Sequence, residues 1–191
     1  MIEAHATLNQ RDLSMLAPLV GARWCFVAGE TLTHHLFTPV DVIVETTEGG
    51  VRIVSDIYEA GFEGDMNTYA KLSVSDDLSG LNTARRHGNV YVHHGGEVVQ
   101  DIQVVRDTVM EFETGDLTWA YTTDVAIIFR LSGGAIAVAK ASHHTEMLTV
   151  VMAPSGSLVE VPDRVVEWRD DLVSEHRSSR RFLALSQLLE G

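Results

Sequence analysis

Six of the nine histidines stand in adjacent pairs, His34-His35, His93-His94 and His143-His144, where random placement would give roughly half a pair. An imidazole is both the commonest metal ligand and the side chain that changes charge nearest neutral pH. Each pair falls within or at the end of a strand-like run, and neighbours on a strand point to opposite faces, so each pair offers one ring to either side. Glu146 lies two residues beyond His144 and shares its face. If three strand ends met, three imidazoles and this carboxylate would suit zinc, iron, manganese or nickel. Against that reading, the chain has no His-x-His or His-x-x-x-His spacing. Half-exposed histidines at strand ends without chemistry are the ordinary outcome, so no cofactor is expected, and a divalent transition metal enters only through such a convergence.

Other groupings are less specific. Glu63-x-Asp65, Asp76-Asp77 and Glu111-x-Glu113 pair carboxylates that serve acid–base work or bind a cation, but such pairs more often solvate an exposed face. Arg85-Arg86-His87 is the basic cluster of the body, and local neutralisation is its ordinary role. The chain has 12 arginines and two lysines, Lys71 and Lys140, neither set in a phosphate-loop motif. Leu131-Ser132-Gly133-Gly134 matches the start of an ABC-type ATPase signature, yet it sits in a hairpin turn and no companion Lys-Ser or Lys-Thr loop exists. A nuclease of the Asp…Glu-x-Lys type would use Asp124 and Lys140 on neighbouring strands, but its second carboxylate position holds Val138.

The elements that must position these groups are mostly strands. Runs at 22–28, 31–37, 40–45, 51–58 and 71–75 are β-branched or aromatic and bounded by turn residues. The double glycines 49–50, 95–96 and 133–134 separate strand-like runs and supply hairpin turns. Hairpins are expected for 90–93 into 97–105, 107–113 into 117–122, and 125–131 into 136–141, with a further strand at 147–152. Short connections favour an antiparallel meander over βαβ crossovers. Segments 59–69 and 76–89 read as long loops. Leu8, Leu13, Leu16 and Leu19 mark a short N-terminal helix entered near Asn9 or Asp12 and stopped or kinked by Pro18.

Beyond Asp163 the apolar period becomes helical, through Val165, Trp168 and Leu172 and again through Phe182, Leu185, Leu188 and Leu189, around a polar centre at 174–181. The expected fold class is therefore mainly β, of the α+β kind. It is a single-domain antiparallel meander, curved sheet or sandwich, with a β-rich body and short N-terminal helix at 1–163 and a C-terminal amphipathic helix at 164–191 packed on the same domain.

A net charge of −13 on 191 residues disfavours direct nucleic acid or membrane binding. All of it lies in residues 1–163, with 22 acidic and nine basic side chains, while 164–191 holds five of each. The single Cys25 permits no internal disulfide, and no apolar run reaches the roughly 18 residues of a membrane span. These features read as a soluble, cytoplasmic protein. The favoured function is a binding or regulatory protein acting through protein contact, such as an inhibitor or immunity-type protein for a basic partner, with a homodimer through the C-terminal helix as a further use of that face. The alternatives are a metal-dependent hydrolase or dioxygenase built on the paired histidines, and a small-molecule sensor walled by Trp24, Trp119 or Trp168.

Overall fold

A computed structural model describes residues 2–30, 32, 40–62, 65–141, 146–159, 161, 168–170 and 174–190. The fold is mainly β, with two antiparallel sheets and short helices at both ends, as the sequence predicts. In chain order the elements are β1 (Ile2–Ala6), α1 (Gln10–Leu16), a 3-10 turn (Ala17–Leu19), β2 (Trp24–Ala28), β3 (Asp41–Thr46), β4 (Gly49–Phe62) and β5 (Asp65–Ser75). There follow α2 (Leu81–His87), β6 (Val90–Tyr91), β7 (Val99–Glu113), β8 (Asp116–Leu131), β9 (Gly134–Lys140), β10 (Leu148–Pro154), β11 (Trp168–Asp170), β12 (Ser174–Ala184) and α3 (Leu185–Glu190).

One sheet runs β5-β4-β3-β2-β6, and the other runs β10-β9-β8-β7-β12-β11 with β1 paired in parallel to β8. Period-two alternation turns Val42, Val44, Val51, Ile53, Leu72 and Val74 toward Ile102, Val104, Ile127, Phe129, Ile136 and Val138, so both sheets bury a common core. The outer face of the five-stranded sheet is covered by α2, with Leu81 and Ala84 against Ala28 and Ile43. Across the other sheet, Val105, Ala126, Ile128, Ala137 and Ala139 lie beneath Val159 and Val161.

The N-terminal helix begins as its sequence dictates. The Asn9 side chain accepts from the amides of Arg11 and Asp12, and Asp12 Oδ2 accepts from the Asn9 amide in return. The other Asp12 oxygen accepts from the Val74 amide of β5, so one buried carboxylate both caps the helix and ties it to a sheet. Pro18 opens the 3-10 turn that ends α1.

Several boundaries differ from the sequence reading. Residues 59–62 and 65–69 are strand, not loop, because β4 and β5 continue outward as one long pair from Arg52–Ser75 to Phe62–Asp65. The runs at 99–105 and 107–113 form one strand, as do 117–122 and 125–131, with bulges near Arg106 and Phe112. Val90-Tyr91 pairs with β2 rather than turning back onto β7. Segment 31–37 lies largely outside the described residues.

The largest difference is at the C-terminus. The expected helix is present but confined to Leu185–Glu190, and Ser174–Ala184 is a strand paired along its whole length with β7. Its alternation is carried by polar groups, since His176, Ser178 and Arg180 pair with Glu111, Val109 and Asp107 while the residues between them face outward. A hydrophobic period cannot register that pattern. On α3, Leu185 is buried and Gln10 Nε2 donates to the Leu188 carbonyl, so the terminal helix packs beside α1.

Candidate functional site

Halfway along β8 the strand changes partner on one edge. Trp119 to Thr123 pair with β1, whereas Ala126 to Leu131 pair with β9. Between them a bulge sets Arg106 opposite Asp124 and leaves the β1–β9 junction without a ladder partner. Lys140, the last residue of β9, shares the inward face of Ile136 and Val138 and projects into this junction.

Around Lys140 lies a dense buried polar cluster. Lys140 is 1% exposed, and its Nζ donates to the Thr123 hydroxyl and to the Ala70 carbonyl, each at 2.7 Å. Thr123 donates onward to the Ala6 carbonyl at 3.2 Å. Asp124, fully buried, accepts from Arg106 at 2.6 and 3.0 Å and from the Leu8 amide at 2.8 Å. Asp107 takes both forks of Arg180, each at 2.7 Å, and four residues further along β7 Glu111 meets His176 at 3.4 Å. Burial pushes the Lys140 ammonium down to about 7, against the opposing pull of Asp124 and Asp107.

An aromatic layer closes this cluster on the distal side. Tyr69 of β5 stacks on Tyr121 at 4.4 Å and lies 6.3 Å from Trp119, bridging the β4–β5 and β7–β8 hairpins. Burial raises the pKa of both phenols. Perturbed ionisable groups held among bidentate arginine pairs mark functional candidates, although structural networks do the same.

The histidine pairs are placed differently. His34, His35, His143 and His144 lie outside the described residues. His93 and His94 occupy a turn rather than a strand, His94 with a positive φ of 58°, and their rings meet edge to face at 4.3 Å. His94 Nδ1 lies 2.9 Å from Glu97 Oε1, while Glu97 Oε2 accepts from the Gly133 amide at 2.5 Å. The hydrogen bond with His94 holds the Glu97 carboxyl below its usual range. The His94 ring lies flush on Gly134, which has no Cβ to obstruct it. Glu146 is exposed, and among the described residues no three His, Cys, Asp or Glu side chains come together to hold a metal ion.

The remaining sequence candidates separate as well. Val138 is buried in the core, so Asp124 and Lys140 have no second carboxylate in the nuclease position. Arg85, Arg86 and His87 form the last turn of α2, where cations complement the helix dipole. Asp77 pairs with Arg52 at 3.4 Å, and its pKa is lowered chiefly by the Ser79 backbone amide. Glu111 is buried while Glu113 is exposed, and Glu63 lies outside the described residues. Trp24 packs in the core against Phe129 at 5.4 Å, and Trp168 lies on β11.

Asp107, Arg106, Thr123 and Arg180 did not emerge from motif reading. The available signal was a charge inside an apolar strand run, as in Val104-Val105-Arg106-Asp107 and Ala137-Val138-Ala139-Lys140, since such residues are almost never buried unless paired. The chain matches no family model, no curated protein and no solved structure. No helix among the described residues is long and apolar enough to cross a membrane.

Proposed function

We propose that this protein is a binding or regulatory protein that meets a basic protein partner through its acidic surface. The supporting observation is how the fold distributes its charges. Among the described residues, the buried carboxylates are Asp12, Asp41, Asp107, Glu111 and Asp124, and the buried cation is Lys140. Arg52, Arg106 and Arg180 accompany three of those acids. Five acids and one cation are thus buried, three of the acids paired with half-buried arginines, and a net acidic charge remains on the surface of the described residues.

The exposed acids include Glu48, Asp56, Glu59, Asp76, Glu113, Asp116 and Glu146. Glu59, Glu113 and Asp116 lie toward the far ends of the β4–β5 and β7–β8 hairpins, which run outward together with Tyr69 packed on Tyr121. A field of this sign raises the encounter rate with a basic surface.

The test is association of the full chain with its partner, isolated from source cells, across a salt series. The reading requires an association rate that falls steeply between about 50 and 500 mM salt, and that drops about tenfold in E113K/D116K with little change in dissociation. Association indifferent to salt and to this charge reversal would overturn it.

A further inference from the structure

The Lys140 cluster has an imbalance of donors that the ion pairs around it do not repair. A protonated lysine carries three N–H donors and a neutral one carries two. Lys140 has two acceptors among the described residues, the Ala70 carbonyl and the Thr123 hydroxyl. The nearby carboxylates are engaged elsewhere: Asp124 by Arg106 and the Leu8 amide, and Asp107 by both forks of Arg180. A neutral amine has both of its N–H donors matched here, whereas an ammonium brings a third donor with no acceptor among the described residues and a charge to bury.

The two acceptors belong to different sheets. Thr123 is on β8, while Ala70 is on β5, the edge strand of the five-stranded sheet. Lys140 therefore ties the long β4–β5 hairpin to the opposing sheet at the point where the hairpin leaves the main core. We propose that Lys140 is a proton-read tie between the sheets: when its amine takes up a proton, the hold on β5 weakens and the hairpin opens more readily to hydrate the ammonium.

The charged and titratable groups around the tie are Asp124 and Tyr121 on β8, Asp107 and Arg106 on β7, Arg180 on β12 and Tyr69 beside Ala70 on β5. The carboxylates favour the ammonium, and burial opposes it more strongly than they support it. With the amine releasing its proton at about 7 in the closed state and near 10.5 when hydrated, opening becomes roughly tenfold easier from about pH 8 to about pH 6.

The two lysines of the chain make the test direct. Protein labelled with carbon-13 at lysine Cε gives two signals, and Lys71 is the internal control. The expected result is that Lys140 titrates near neutrality and Lys71 in the ordinary range. Hydrogen exchange of the β5 amides around Tyr69–Leu72, corrected for intrinsic rates, should accelerate about tenfold between the same two pH values. The K140Q carboxamide supplies two N–H donors and no titration, and should abolish that dependence. A Lys140 signal that titrates together with Lys71 would overturn the proposal, as would β5 exchange that stays flat while Lys140 titrates or a pH dependence that persists in K140Q. The first two readouts use the unaltered chain and hold even if the variant does not fold.

Discussion

Lys140 at the end of β9 donates to the Ala70 carbonyl of β5 at 2.7 Å, a side-chain bond that joins two sheets across 70 residues of sequence. It sets a pH dependence of global stability whose sign follows from linkage. An unfolded lysine keeps its proton to about 10.5, whereas Lys140 in the fold releases it at about 7. Between these values the unfolded chain holds more protons, so stability rises with pH through that window and is flat with respect to this group below it. The full swing is at most about 5 kcal/mol. Tyr69 and Tyr121 act oppositely above about pH 10, because their folded pKa values are raised and ionisation favours the unfolded chain. Urea unfolding at stepped pH should show stability climbing from neutral toward pH 10 and then falling. K140Q should flatten the climb and leave the fall.

Removing Arg180 should cost more than a surface arginine can. Its guanidinium holds the 1% exposed Asp107 through two bonds of 2.7 Å, and truncation takes both from a buried carboxylate. Arg180→Ala is expected to lose about 3–5 kcal/mol, while the double variant Arg180→Met with Asp107→Leu recovers most of it. Equilibrium unfolding of both variants checks the coupling. A double variant as damaged as the single would mean that the pair does not account for the loss.

Asp12 serves two elements, so its loss should exceed that of an ordinary cap. Asp12→Ala gives up the bond from the Asn9 amide and strands the Val74 amide of β5. The expected loss is about 2–3 kcal/mol, against about 1 kcal/mol for Asn9→Ala. Thermal unfolding of the two variants ranks them.

Gly134 is constrained by contact. A Cβ there would lie 2.5 Å from the Ala153 carbonyl oxygen and 2.5 Å from the His94 ring. The carbonyl belongs to the β9–β10 ladder and cannot withdraw cheaply. Gly134→Ala should destabilise by about 1–3 kcal/mol and shift the His94 ring resonances. Unchanged stability with unchanged His94 signals would show that this packing does not constrain the turn.

What the sequence determined by itself was local. Asn9 and Asp12 announce a helix start through a three-residue spacing, Pro18 announces its end, and the glycine pairs at 49–50 and 133–134 announce hairpins whose flanking strands alternate correctly. Residues 59–62 and 65–69 were not legible as strand because a polar, glycine-containing segment looks like a loop until its pairing partner is present. Residues 174–184 misled for a related reason: their inward face carries His176 and Arg180, and a half-buried, paired polar side chain reads as a solvated one until Glu111 and Asp107 are seen opposite. Lys140 and Asp124 could be noticed as charges in apolar runs, but nothing local joins Lys140 to Ala70 or Arg180 to Asp107, which are 70 and 73 residues apart. Periodicity and turn chemistry act over a few residues. Strand order, the parallel docking of β1 and the buried charge cluster depend on pairings between distant segments, and only the tertiary structure decides those.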